Sequence, residues 1–467
     1  MNNLRLSALV RVTLFLALQF SLFNFISCNK KLTPEQIEQN RLAEERQRLE
    51  KIEAAKNQAV SEYVASLSDE ARISQLFLVN IEGNQKYQAV EKTGSLYGKS
   101  GEGKPLVPGG VLLFSYNISK DPLETYEYIK SIRDFYLANE NPPPYVSVDQ
   151  EGGYVNRLRG LTSVLWAQEK VADSFLPEGA FALYSAQARQ IKNLGFHMNL
   201  APVIEVENEK NREFLDTRSF GNLENVLLYG KNAVNGYEKN QIATVLKHFP
   251  GNSSTDPHTG LPEIVLTKSE LQKDYIEPFK NLLPLASAVL MSHARITLTD
   301  DESYTESKIP ACLSEFWVTK TVRQELGFKG LILSDDIFMG ALAQNGYPPE
   351  KAVVSVIEAG IDVIMLSEKR FGNVAGILLE KARENPELAE KIQRAVENVV
   401  RYKIKAGILE ILENAPEESD DGKTGAKNAD DGIPGFTVRI NPNYADFDLH
   451  AFDEDYKAGM NSYEMGK

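Results

Sequence analysis

The segment Lys247-His248-Phe249-Pro250-Gly251-Asn252-Ser253-Ser254-Thr255-Asp256-Pro257-His258 gathers two imidazoles, an amine and a carboxylate on one short stretch of chain. Asp256 and His258 stand two apart, close enough for the carboxylate to hold the ring, fix its tautomer and favour its protonated form. Such a pair suits general acid–base work near neutral pH. An Asx turn beside a surface histidine is the plainer reading of the same residues. A second acidic group closes an apolar run, Gly330-Leu331-Ile332-Leu333-Ser334-Asp335-Asp336. Placing two carboxylates behind a hydrophobic strand is costly unless they serve something. Asp335 is a candidate nucleophile toward an electrophilic carbon such as the anomeric carbon of a sugar. Asp336 has the alternative of capping the helical pattern that follows.

These residues need a scaffold that brings distant strand ends together. Apolar runs recur at Gln75–Ile81, Gly109–Tyr116, Tyr145–Asp149, His197–Ile204, Thr244–Phe249, Ser287–His293, Leu331–Asp335 and Asp362–Leu366, with helical patterns between them. Continuous Val/Ile/Leu-rich runs alternating with helices predict parallel strands buried on both faces. Eight such units predict an α/β fold of the closed (β/α)8, TIM-barrel type, whose catalytic groups sit at the strand C-terminal ends. Asp149, His248, His293 and Asp335 fall at or near such ends. A doubly wound open sheet is the structural rival, weakened because no Gly-rich phosphate fingerprint follows the first run.

From about Ile73 to Ile408 the chain resembles the family 3 glycoside hydrolases, specifically their β-N-acetylglucosaminidase branch. The resemblance rests on Lys247 to Gly251 followed by Asp256-x-His258, on Ser334-Asp335, and on Val148-Asp149-Gln150-Glu151-Gly152-Gly153. Arg157, Asp216-Thr217-Arg218-Ser219-Phe220-Gly221, Asn199-Leu200-Ala201-Pro202-Val203 and Met291-Ser292-His293 extend it. It implies a retaining hydrolase for terminal N-acetylglucosamine in peptidoglycan-derived or related glycans. Asp335 is then the nucleophile and His258, paired with Asp256, the acid–base. Asp149, Arg157, Arg218, Lys247, His248 and His293 are then substrate-binding, and no metal or cofactor is required. Departures from the family pattern are Asn252-Ser253 where His-Gly is usual, a loop to Asp256 shorter by about two residues, Pro257 within the dyad, and Tyr154 in place of an arginine. Three other readings remain: a glycoside phosphorylase, a degenerate barrel that only binds glycan, and a metal-dependent barrel hydrolase, the last disfavoured because no His-x-His lies on an early strand.

The flanks bear on location. Val12 to Phe25 is mainly apolar behind Arg5 and Arg11, too short for a comfortable membrane span and suited to a signal-peptide core. Cys28 follows Ile26-Ser27 and resembles a bacterial lipoprotein processing site; an ordinary signal peptide containing a cysteine is the alternative. The expected organisation is a signal over 1–28, a charged helical linker over 29–68, the barrel over 69–413 and an acidic, largely disordered tail over 414–467, whose aromatics Phe436, Tyr444, Phe447 and Phe452 leave docking on the barrel open. Thr33-Pro34-Glu35-Gln36 has the form of a helix start. The chain carries a net charge of −14, which argues against a nucleic-acid partner. From Ala415 onward, 12 acidic and 5 basic residues account for half of that charge. The expected partners are therefore an amino-sugar glycan and a membrane reached only through lipid at Cys28. The expected state is an exported monomer anchored on the periplasmic side or at the cell surface.

Overall fold

The computed structural model describes residues 33–366, 370–414 and 433–464. The signal segment and Cys28 lie outside the described residues. The chain divides into two compact units, one comprising residues 1–57 with 414–435 and the other 58–413 with 436–467. In the first, the helix that begins at Pro34 is charged and mostly exposed up to Asn57. Its last turns belong to the second unit, where Ala59, Val60 and Val64 are buried and Ser61 Oγ donates to Glu397 at 2.7 Å.

Eight parallel strands form the centre of the second unit: β1 (Phe77–Asn80), β2 (Gly110–Leu113), β3 (Tyr145–Val148), β4 (Met198–Asn199), β5 (Ala243–Phe249), β6 (Ala288–Met291), β7 (Leu331–Ser334) and β8 (Ile364–Leu366). Each neighbours the next in sequence order, and β8 returns to β1 with Phe77 opposite Ile364. A parallel bridge between Leu333 and Val363 closes the ring. All eight apolar runs thus become barrel strands.

The side-chain period of two explains why the runs read as continuously apolar. Leu78, Leu112, Met198, Val245, Leu290, Leu333 and Met365 point inward and form one core. Their neighbours Phe77, Val79, Val111, Leu246, Val289, Ile332 and Ile364 point outward against the helices and form another. The helices start where the sequence caps them. Asp121 accepts from the Leu123 and Glu124 amides ahead of Pro122–Ala138, and Asn385 does the same for Pro386–Lys405.

The expectation for the tail needs correction. Phe436–Ile440 pairs antiparallel with Leu409–Glu413, and Leu449–Asn461 forms a helix capped by Asp448. Tyr444 stacks on Tyr126 with ring centroids 6.2 Å apart, Phe447 packs on Tyr126 and on Phe452, and Phe452 is buried. The aromatics spaced through this acidic segment are the residues that dock it. The Asp/Gly/Lys stretch 415–432 lies outside the described residues.

Candidate active site

Near the end of β5 stand Lys247 and His248, consecutive residues whose side chains would leave a regular strand on opposite faces. The ladder between β5 and β6 slips between Lys247 and Phe249. Such an irregularity re-aims side chains, and both residues line the same cavity of about 220 Å³. Seven of the residues singled out in the sequence meet there: Asp149, Arg157, Arg218, Lys247, His248, His258 and Asp335. Leu112, Leu200, Leu290 and Met365 supply an apolar floor from the barrel interior.

Asp335 follows β7 and is 7% exposed. Its Oδ1 accepts from the Asp336 amide at 2.8 Å. Asp336 in turn accepts from Phe338 N at 2.9 Å, so it caps the turn behind Asp335, while the next short helix begins only at Gly340. His293 is not among the cavity-lining residues. It is buried behind that turn, with Nε2 donating to the Asp336 carbonyl at 3.0 Å and Nδ1 3.1 Å from Cys312 Sγ. Burial pushes the Cys312 thiol up, so the S–H is retained and is the donor to Nδ1. This geometry gives His293 the task of holding the turn that carries Asp335.

On the rim, Asp256 Oδ1 accepts from His258 Nδ1 at 2.8 Å and from the His258 amide at 2.9 Å. The two readings of this segment therefore hold together, because the Asx turn is what presents the dyad. Burial alone would raise the Asp256 carboxyl, but the hydrogen bonds and charge of His258 hold it below its ordinary value. The dyad is open to solvent, with the His258 side chain 68% exposed. Its loop leans on the turn after Asp335, where Ala341 N donates to Pro257 O at 3.0 Å. A Cβ on Gly340 would stand 2.7 Å from the His258 carbonyl oxygen, so the approach of the two loops depends on that glycine.

The opposite wall is an ion network. Lys247 Nζ lies 2.7 Å from Asp149 and 2.6 Å from Glu151, Arg218 makes a two-point pair with Glu151 at 2.7 and 2.9 Å, and Arg157 reaches Asp149 at 3.3 Å. Burial works against the charged forms of Lys247 and Arg218, and the carboxylates beside them outweigh it. Glu151 is 2% exposed. Burial pushes its carboxyl up, yet Lys247 and Arg218 together hold it well below the ordinary 4.5. Arg157 Nε is buried without a hydrogen-bond partner among the described residues, and the guanidinium lies over the Phe114 ring, 5.2 Å from its centroid.

Two residues in this constellation were not singled out in the sequence. Glu151 is the hub of the cationic wall. Glu205 accepts from both the His248 amide, at 3.1 Å, and His248 Nδ1, at 2.7 Å. It thereby fixes the ring so that Nε2 is the atom left for a ligand. Glu151 sits two residues beyond Asp149, in the hairpin formed by Gln150–Gly152 and Val155–Asn156, and Glu205 directly follows the apolar run His197–Ile204; both positions were available as signals.

The Glu151 cluster makes a prediction about stability. A depressed folded-state carboxyl stabilises the fold fully above the ordinary 4.5 and loses that contribution as pH falls below it toward the folded value. Glu151→Gln leaves two buried cations underpaired and costs about 3–5 kcal/mol at neutral pH. Thermal unfolding of both proteins between neutral pH and pH 3 checks this. The parent's advantage should shrink on acidification, and an advantage that grew would contradict the assignment.

Comparison with known proteins fits this geometry. Residues 103–402 match the glycosyl hydrolase family 3 N-terminal domain. The chain belongs to glycosyl hydrolase family 3. Relatives of this family 3 chain include a beta-hexosaminidase from Tolumonas auensis, 30% identical over 279 residues that cover 57% of this chain and 78% of that protein. Beta-hexosaminidase A from Pseudoalteromonas piscicida is 24% identical over 320 residues, 64% of this chain; the match spans 53% of that protein's length. Among solved structures, a family 3 beta-N-acetylglucosaminidase from Paenibacillus superposes with a TM-score of 0.66 at 22% identity. It covers 86% of this chain and 69% of that one, a likeness of fold.

Proposed function

We propose that the chain is a retaining β-N-acetylglucosaminidase that removes terminal β-linked N-acetylglucosamine from peptidoglycan-derived or related glycans. The observation that carries this reading is the convergence of Asp335 and the Asp256–His258 dyad on one cavity with the Asp149, Arg157, Arg218 and Lys247 wall. The sugar lies in the cavity with its hydroxyls against Asp149, Arg157, Arg218, Lys247 and His248 Nε2. Asp335 attacks the anomeric carbon while His258 Nε2–H protonates the departing oxygen. The same nitrogen then takes a proton from the water that hydrolyses the glycosyl–Asp335 ester. The beta-hexosaminidase names of the relatives support the sugar class.

The experiment is release of p-nitrophenol from its β-N-acetylglucosaminide by the purified chain, with and without inorganic phosphate. Turnover that is indifferent to phosphate and yields free N-acetylglucosamine supports hydrolysis. A sugar phosphate as product would make the chain a phosphorylase, and binding without turnover would make it a glycan-binding barrel. Export with lipid attachment at Cys28 is proposed on the sequence alone, and the mass of the mature N-terminal residue tests it.

A further inference from the structure

The C-terminal helix Leu449–Asn461 lies outside the family match yet is fastened to the helix Pro177–Asn193 along its length. Asp448 and Asn193 exchange two hydrogen bonds, Asn193 Nδ2 to the Asp448 carbonyl at 2.7 Å and the Asp448 amide to Asn193 Oδ1 at 3.0 Å. One to two turns on, Asp455 pairs with Arg189 at 2.5 Å. Near the helix end Gly459 crosses Ser163. A Cβ there would stand 2.1 Å from Ser163 Oγ, so only glycine permits the approach.

Ser163 is 1% exposed and belongs to the loop that leads away from Arg157. Its amide donates to Gln190 Oε1 at 2.8 Å, and its Oγ accepts from Gln187 and Gln190 at 2.8 and 2.9 Å. The loop is therefore clasped between two helices. Just past the helix end, Tyr463 packs on Trp166 of the same loop, with centroids 6.2 Å apart, and edge-on against Phe175 at 5.2 Å.

The far side of this loop touches the sugar-facing hairpin. The Trp166 carbonyl oxygen lies 2.2 Å from where a Cβ on Gly152 would stand, and Gly153 N donates to Leu165 O at 3.1 Å. Gly152 holds φ at +104°, which suits glycine, and it directly follows Glu151. At the loop's other end Leu158, next to Arg157, donates its amide to Gln150 Oε1 at 3.2 Å. Two short steps thus connect the C-terminal helix with Glu151 and Arg157.

We infer that the C-terminal helix and Tyr463 brace the loop 157–167 and so set the position of Arg157 and Glu151 for sugar binding. Gly459 and Tyr463 are positioning residues in this account, which rests on the reading of the cavity as a glycoside site. The brace acts on the wall that holds the sugar, whereas Asp335 follows β7 and His258 stands in the loop beyond β5. Disturbing it raises KM and leaves kcat nearly unchanged.

The test compares Gly459→Val, Tyr463→Ala and Tyr463→Phe with the parent and with Tyr456→Ala, an exposed position on the same helix. Kinetics on p-nitrophenyl β-N-acetylglucosaminide and hydrogen exchange of residues 157–167 are the readouts. Gly459→Val and Tyr463→Ala are expected to raise KM about tenfold, the scale of one weakened charged hydrogen bond, with kcat within about twofold. Tyr463→Phe keeps the ring and should match the parent, as should Tyr456→Ala. KM values all close to the parent's overturn the brace, and so does an equal fall in kcat for every variant. Should Gly459→Val fail to fold, Tyr463→Ala against Tyr463→Phe decides. If the parent turns over no glycoside, the activity reading fails on its own. Hydrogen exchange then decides the brace: faster exchange of the loop in Tyr463→Ala supports it, and unchanged exchange overturns it.

Discussion

Asp335→Asn lowers kcat on an aryl β-N-acetylglucosaminide by at least ~10⁴-fold while the protein stays folded, a loss on the scale seen when a covalent nucleophile is removed. The structure makes this a clean substitution. The Asp335 oxygen that accepts from the Asp336 amide has a counterpart in asparagine, the side-chain volume is conserved, and the residue is already 7% exposed at the cavity wall. What disappears is the negative charge and with it the ability to form the glycosyl ester. Asp336→Asn is the matched control. Asp336 accepts from Phe338 N, a bond that asparagine also makes, and the variant should keep activity within about tenfold. Steady-state kinetics beside thermal unfolding separate the two carboxylates. An Asp335→Asn protein with kcat within tenfold of the parent would sink the nucleophile assignment, and a larger loss in Asp336→Asn would transfer the role to its neighbour.

The sequence already separates the two adjacent acids, Asp335 by its strand-end place and Asp336 by the cap it could form, and the bond from Phe338 N to Asp336 supplies such a cap. The eight strands were legible because a parallel barrel buries both strand faces, and its runs are apolar at every position. Even the fourth, regular over only Met198 and Asn199, was marked by its flanking apolar residues. The strand-end groups Asp149, His248 and Asp335 were legible because the barrel converges them. Glu205 directly follows the fourth run and carried the same positional signal, but its role, holding His248 Nδ1 across 43 residues of chain, was not legible. His293 stands differently. Its strand-end position suggested either sugar contact or a satisfied core group, and its partners in the structure are Cys312 and the Asp336 carbonyl. The C-terminal segment was legible in part. Its spaced aromatics left docking open, while its acidic composition describes the exposed face of a helix that buries Phe452 and Gly459.

The Asp256–His258 dyad yields the second large effect. His258→Ala is expected to slow hydrolysis of a glycoside with a sugar leaving group by about 10²–10⁴-fold, the usual contribution of a general acid–base. A p-nitrophenyl glycoside behaves differently in each step. Nitrophenolate departs without a proton, so glycosylation of Asp335 is little affected. The second step still needs a base for the attacking water, and the glycosyl-enzyme accumulates. The variant should therefore show a burst of p-nitrophenol approaching one equivalent, followed by slow turnover, where the parent shows none. The dyad's exposure sharpens the point. A histidine 68% open to solvent acts only if its loop is held over the cavity, and the loop's ties include the Ala341 to Pro257 hydrogen bond beside Gly340 and Ser254 Oγ donating to the Lys210 carbonyl. Rapid-mixing kinetics on both substrates are the measurement. Equal rates for parent and variant on a disaccharide, with no burst on the aryl glycoside, would remove His258 from the mechanism. The proton would then have to come from His248, whose Nε2 is the other imidazole nitrogen at the cavity.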